Sequence, residues 1–173
     1  KFKEGFINYE NRFNTKKLYN TYPAIKKLNI WDGIQKCDNL LICWEQGIGD
    51  SIQFYRYIFD LNKLHPNINI TVVMKSDIHH LFKKTNKFKL LKNIPKNITK
   101  FDYKLYMMSI PKIIKLNTIS SFSDECYLKI DKNEFWKEKL SNYKKPKVGL
   151  VWKGNTMTNI DKYIELKYFK PLF

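Results

Sequence analysis

The chain has 173 residues, 43% hydrophobic and 16% aromatic, which suits one domain with a real core and excludes a disordered or low-complexity chain. Its formal net charge is +16, from 32 basic and 16 acidic residues, and on its face that suggests an anionic partner. Yet 30 of the basic residues are Lys and only Arg12 and Arg56 are Arg, beside 20 Ile, 17 Asn and a single Ala, the bias of an AT-rich coding sequence. Dispersed lysine is poorly suited to bidentate reading of phosphates and base edges, which argues against a dedicated nucleic-acid surface. No apolar run approaches the roughly 18 residues of a bilayer-spanning helix and no secretory leader opens the chain, so the expectation is a soluble, non-secreted protein. Cys37, Cys43 and Cys126 lack ligand or disulfide spacing and fit a reducing cytoplasm.

In chain order, Phe2, Phe6, Tyr9 and Phe13 recur at helical spacing and predict an amphipathic helix over residues 1–13 that needs a partner for its apolar face. With a first residue other than Met, this suggests a piece excised from a longer protein. Residues 14–38 read as a connector, with Trp31 packing back on the segment after it. The continuous run Leu40, Leu41, Ile42, Cys43, Trp44 has the pattern of a parallel strand buried on both faces. After it come the turn Glu45-Gln46-Gly47-Ile48-Gly49-Asp50, a helix carrying Ile52, Phe54, Tyr55, Ile58, Phe59 and Leu61, and a second strand over Ile68–Met74. Ser76 or Asp77 is the expected cap of the next helix, and the lysine-rich stretch 83–100 reads as a short strand with solvated connections. Further strands are predicted at 103–108, 127–130 and 148–152, with helices after Pro111, over 131–140 and from about Glu165.

The turn between the first strand and first helix is the best place for chemistry. Ligands of open α/β sheets bind outside the carboxyl ends of the strands, where helix N-termini offer unpaired N–H groups and glycines allow close approach. As a dinucleotide fingerprint the turn is incomplete, since Ile52 replaces the third glycine and the second strand ends in Lys75 rather than an acid. Asp50 has two readings. Asp50-Ser51-Ile52-Gln53 fits a capping box with Asp50 at the N-cap, and a carboxylate at the mouth of the sheet could equally act as general base toward a hydroxyl; both roles cannot be fully satisfied at once. Glu45 is a second acid, although Glu beside a glycine turn is ordinarily exposed. His79 and His80 are adjacent and diverge on a helix, so they read as surface residues rather than metal ligands.

The stretch Trp44 to Tyr57, Trp-Glu-Gln-Gly-Ile-Gly-Asp-Ser-Ile-Gln-Phe-Tyr-Arg-Tyr, resembles the bacterial tetratricopeptide-linked glycosyltransferases related to the heptosyltransferase family, glycosyltransferase family 9. Gly5-Phe6 through Tyr9-Glu10 and Arg12 is similar to the end of the last helical repeat, and Trp31-Asp32-Gly33 to the entry of the transferase. Phe101-Asp102-Tyr103, Ser109-Ile110-Pro111, Tyr127-Leu128 and Val148 to Asn155 follow in the same order. The resemblance implies a GT-B architecture of two Rossmann-like domains, inverting and without a metal or other cofactor. In it Asp50 would be the base on the acceptor hydroxyl, Gly47, Gly49 and Gln53 would line the acceptor side, and Gly154, Asn155 and Lys162 would face the donor diphosphate. Lys162-Tyr163 stands where relatives tend to have Arg-Ser, and the chain stops at Phe173, before most of a donor half.

The fold expectation is α/β: a Rossmann-like parallel sheet with flanking helices, the N-terminal half of a GT-B fold, preceded by a short helical segment. The expected organisation is residues 1–36 as repeat end and connector, 37–146 as acceptor-side domain and 147–173 as the start of the donor side. The expected activity is transfer from a nucleotide-sugar to a glycan, lipid-linked or protein acceptor in the cytoplasm, with an anionic inner-membrane surface as a further partner that the charge allows. Because both substrates must be assembled across a cleft, these 173 residues alone are expected to transfer little. The rival readings are a noncatalytic α/β interaction or glycan-binding module and, behind it, a basic nucleic-acid-binding domain.

Overall fold

The computed structural model describes residues 1–14, 23–83, 87–116, 127–128, 133–152 and 164–172. The chain divides into two compact units, Lys1–Ile130 and Asp131–Phe173.

The first unit is built on four parallel strands, β1 (Asn39–Cys43), β2 (Asn69–Val73), β3 (Lys89–Leu91) and β4 (Tyr103–Tyr106), in the order β3-β2-β1-β4. This is a Rossmann-like α/β arrangement, as the sequence predicts. The apolar run at 40–43 becomes a central strand because both of its faces are covered. Leu40 and Ile42 pack with Ile70, Val72 and Leu105 against the helix α2 (Ile48–Leu64), through its Tyr55, Ile58 and Leu61. Leu41 and Cys43 point the other way, into a smaller core with Ile25, Val73, Phe101 and Tyr106. That second face is closed by irregular chain. A 3-10 turn over Pro23–Ile25 and the partly buried Leu28, Ile94 and Ile98 cover it.

The connector is therefore a structural layer. Residues 29–31 also run along the free edge of β4: Lys104 N–H donates to the Asn29 carbonyl at 3.0 Å, and Trp31 N–H to the Lys104 carbonyl at 2.9 Å. That pairing removes an exposed sheet edge. Lys104 itself is buried and donates its ammonium to the Ile25 carbonyl at 2.9 Å; burial pulls its pKa down, partly opposed by Cys43. At the amino end of the sheet the exposed Asp102 carboxylate accepts the N–H groups of Asp38 and Asn39, both at 2.8 Å.

The N-terminal helix α1 (Phe2–Tyr9) continues as a 3-10 turn over Glu10–Asn14 and packs against a short helix, α4 (Ile110–Ile113), with Phe6 and Phe13 on the two cores. The first unit thus covers part of the face for which the sequence demands a partner: Phe6, Tyr9 and Phe13 are half-buried, while Phe2 stays exposed. Between α1 and the sheet the chain turns at Gly33, where φ is +85° and a Cβ would lie 2.8 Å from Ile113 Cγ2, so only glycine fits.

Three expectations need correction. The helix after β2, α3 (His79–Phe82), starts at Ile78 without a side-chain cap; Ser76 Oγ bonds Asp77 Oδ1 instead of a helix N–H. Tyr127 and Leu128 are not in a strand, and the rest of 127–130 lies outside the described residues. Residues 148–152 pair with no strand among the described residues and are largely exposed, because none of the described residues supplies a ladder or a covering layer there.

In the second unit a helix α5 (Glu134–Ser141) is capped by Asn133, whose side chain accepts Trp136 N–H at 3.3 Å. A 3-10 segment spans Leu166–Leu172. None of this unit's described residues is buried. Among the described residues no helix is long and apolar enough to cross a membrane.

Candidate functional site

β1 delivers the chain to the carboxyl edge of the sheet, and α2 leaves from there. Gly47 is the N-cap of α2, in extended backbone (φ −89°, ψ 174°), which places Asp50 at the third helical position. Asp50 Oδ2 accepts the Gly47 N–H at 2.9 Å. This is the return half of a capping box, three residues out of step with the predicted one. The sequence rule favours Asp over Gly as first residue of the box; the apolar register of α2, with Tyr55, Ile58 and Leu61 inward, sets the start instead. Ser51 is buried and closes the same turn, its N–H and Oγ both reaching the Gly47 carbonyl at 3.1 Å.

Gly47, Gly49 and Gln53 are exposed, and Asp50 is partly exposed. The structure therefore brings the four predicted residues of this side together at one rim. Asp50 Oδ2 is occupied, and no donor among the described residues reaches Oδ1, so one oxygen caps while the other has no hydrogen-bond donor there. The two glycines differ. A Cβ on Gly47 would sit 3.1 Å from Asp50 Oδ2, whereas one on Gly49 would meet nothing within 4 Å. Gly154, Asn155 and Lys162 lie outside the described residues.

Glu45 corrects its expectation. Instead of being exposed it is 1% exposed, and its carboxylate is fully engaged: Oε1 accepts Met108 N–H and Arg12 Nη2, each at 3.0 Å, and Oε2 accepts Arg12 Nε at 3.0 Å. Arg12 also donates to Ser109 Oγ at 2.7 Å and pairs with Glu10, while Ser109 Oγ donates to Glu10 Oε1 at 2.9 Å. Its guanidinium carbon sits 4.7 Å and 4.2 Å from the ring centroids of Tyr9 and Phe13. Burial by itself opposes the Arg12 charge; the hydrogen bonds and charges of Glu45 and then Glu10 outweigh it and raise the pKa above the ordinary arginine value. Next along, Gln46 takes φ +54° and donates Nε2 to Tyr9 Oη at 2.9 Å.

Sequence reasoning named Arg12 and Ser109 only as part of the resemblance, gave neither a place at the turn, and missed the burial of Glu45. One signal for Arg12 was present: in a chain that uses Lys almost everywhere, a retained Arg marks a place where the planar fork is needed. An apolar groove of about 360 Å³ adjoins the cluster, lined by Phe2, Phe6, Tyr9, Phe54 and Met108. His79 and His80 are not buried, and among the described residues no group of three or more His, Cys, Asp or Glu side chains could hold a metal ion. Cys37 and Cys43 are free and buried.

No family model matches the chain, and neither does any curated protein or solved structure.

Proposed function

We propose that the first unit is the acceptor-side half of a glycosyltransferase that moves a sugar from a nucleotide-sugar donor to an acceptor hydroxyl, with Asp50 as general base. The observation that carries this reading is the partly exposed Asp50 carboxylate at the carboxyl edge of the sheet, one oxygen held by Gly47 N–H and the other without a donor among the described residues, with open space at neighbouring Gly49. A base must be oriented and still have an oxygen available for the incoming proton, and this geometry suits both needs. The block from Trp44 to Tyr57 supports the same reading by its resemblance to family 9 transferases. In this scheme Gly47, Gly49 and Gln53 flank the acceptor, the acceptor hydroxyl attacks the anomeric carbon, its proton passes to Asp50, and the nucleoside diphosphate leaves. Gly154, Asn155 and Lys162 would face that diphosphate, and the protein would work in the cytoplasm, at an anionic membrane surface where the acceptor is lipid-linked.

The test is nucleotide release from a panel of nucleotide-sugars with candidate acceptors, using the protein at its natural full length. Asp50→Asn keeps an oxygen for Gly47 N–H and is expected to lower acceptor-dependent release by about 10²–10⁴-fold with the fold intact. Gly49→Ala fills open space, so it is expected to leave stability unchanged and to raise the acceptor KM. Release that persists in Asp50→Asn removes the base assignment.

A second reading, a noncatalytic α/β interaction or glycan-binding module, is favoured by the capping bond itself, which gives Asp50 a structural role without any reaction. It predicts no donor turnover by any variant and a lower melting temperature for Asp50→Ala.

A further inference from the structure

Two consecutive residues at the entrance of the glycine turn, Glu45 and Gln46, are tied to the N-terminal segment rather than to the sheet's own helices. Glu45 is gripped by the Arg12 fork and by Met108 N–H, and Gln46 by Tyr9 Oη. Three stretches of chain distant in sequence, residues 9–12, 45–46 and 108–109, therefore meet immediately before Gly47. Gln46 holds a left-handed backbone conformation that an L side chain rarely adopts unaided, so its surroundings must hold it there. If the guanidinium were withdrawn, the Glu45 carboxylate would keep only the Met108 N–H among its present donors while remaining buried. It would then have to take up a proton or draw in water, and either change loosens the hold on the chain at 44–46.

We infer that Arg12, acting through Glu45, is a positioning residue for the glycine turn: the N-terminal segment sets the backbone from which Gly47 and Asp50 are presented. This role depends on the geometry of the turn and not on which ligand meets it. It extends the part played by residues 1–14 from covering a core to shaping the rim.

Amide hydrogen exchange on the 173-residue chain tests it, comparing the Gly47 and Ser51 amides with the sheet amides of Ile42 and Val72. Arg12→Lys keeps the charge and loses the fork; Arg12→Gln loses both; Tyr9→Phe removes only the hydroxyl that Gln46 uses. Lys104→Met is the control, since it removes a different buried cation far along the sequence from the turn. The expected result is that both Arg12 variants speed exchange at Gly47 and Ser51 about tenfold more than at Ile42 and Val72, and Tyr9→Phe does so by at least about threefold. Lys104→Met is expected to speed all four amides in proportion. A ratio that changes less than about threefold in Arg12→Lys, or one that Lys104→Met changes as much, overturns the inference and reduces the pair to a staple. Neither outcome bears on Asp50 as a base, which the nucleotide-release assay addresses by itself.

Discussion

Two stretches of this chain look alike in sequence and come out opposite in structure. Leu40 to Trp44 and Val148 to Trp152 are both short apolar runs ending in Trp, and each is soon followed by glycine. The first is the middle of a parallel sheet, with Leu40, Leu41, Ile42 and Cys43 wholly buried. In the second, Val148 is 75% and Val151 93% exposed, and no ladder forms among the described residues. The difference lies in the neighbours. β1 has β2 and β4 to satisfy its backbone, α2 over one face, and the 23–28 segment over the other. An apolar run is only a request for burial, and a strand exists when other segments answer it.

The same contrast ranks the expected effects of substitution. The largest belongs to the end of the first run: Glu45→Ala leaves Arg12 buried without its main partner and is expected to cost about 3–5 kcal/mol in denaturant unfolding. Replacing the pair together, Arg12→Met with Glu45→Leu, is expected to cost much less, because both buried charges go at once. Next comes Leu41→Ala at about 2–5 kcal/mol, set against Val151→Ala within about 0.5 kcal/mol. Equal costs for Leu41→Ala and Val151→Ala would erase the comparison.

Alkaline pH sharpens it further, since Cys37 belongs to the buried region. Burial pushes its thiol from 9.0 up to about 11, with the Asp102 and Asp38 charges adding to the rise and the Asn39 N–H opposing it. Between those values the native state keeps a proton that the unfolded chain has lost, so this contribution to stability is full below pH 9 and is lost as pH rises toward 11. Cys37→Ala is expected to flatten the fall in melting temperature over that window. The smallest effects concern the rim. Gly47→Ala crowds Asp50 Oδ2 and is expected to cost about 1 kcal/mol, whereas Gly49→Ala is expected to change stability by less than about 0.5 kcal/mol. Thermal melts of the two variants side by side measure that difference.

Much of the first unit was legible beforehand because its signals are local. Continuous apolar runs marked β1 and β2, helical spacing from Ile52 to Leu61 marked α2, and the glycines between them located the rim. The exact cap was not legible, because the register of α2 against the sheet chooses Gly47 over Asp50 as the first residue. The layer over the second face was not legible either. Residues 23–28 have no period, and Ile25 is buried only because the chain folds back over Leu41 and Cys43.

Local signals were enough for the α/β class, the parallel strand-turn-helix-strand unit and the rim of Gly47, Gly49, Asp50 and Gln53, since hydropathy period and glycine placement act over a few residues. Only the packing of distant segments buries Glu45 under Arg12, 33 residues away, and leaves 148–152 without a ladder among the described residues. A carboxylate next to a turn is equally compatible with water or with a guanidinium. Which it meets depends on how distant segments pack, and no local pattern carries that information.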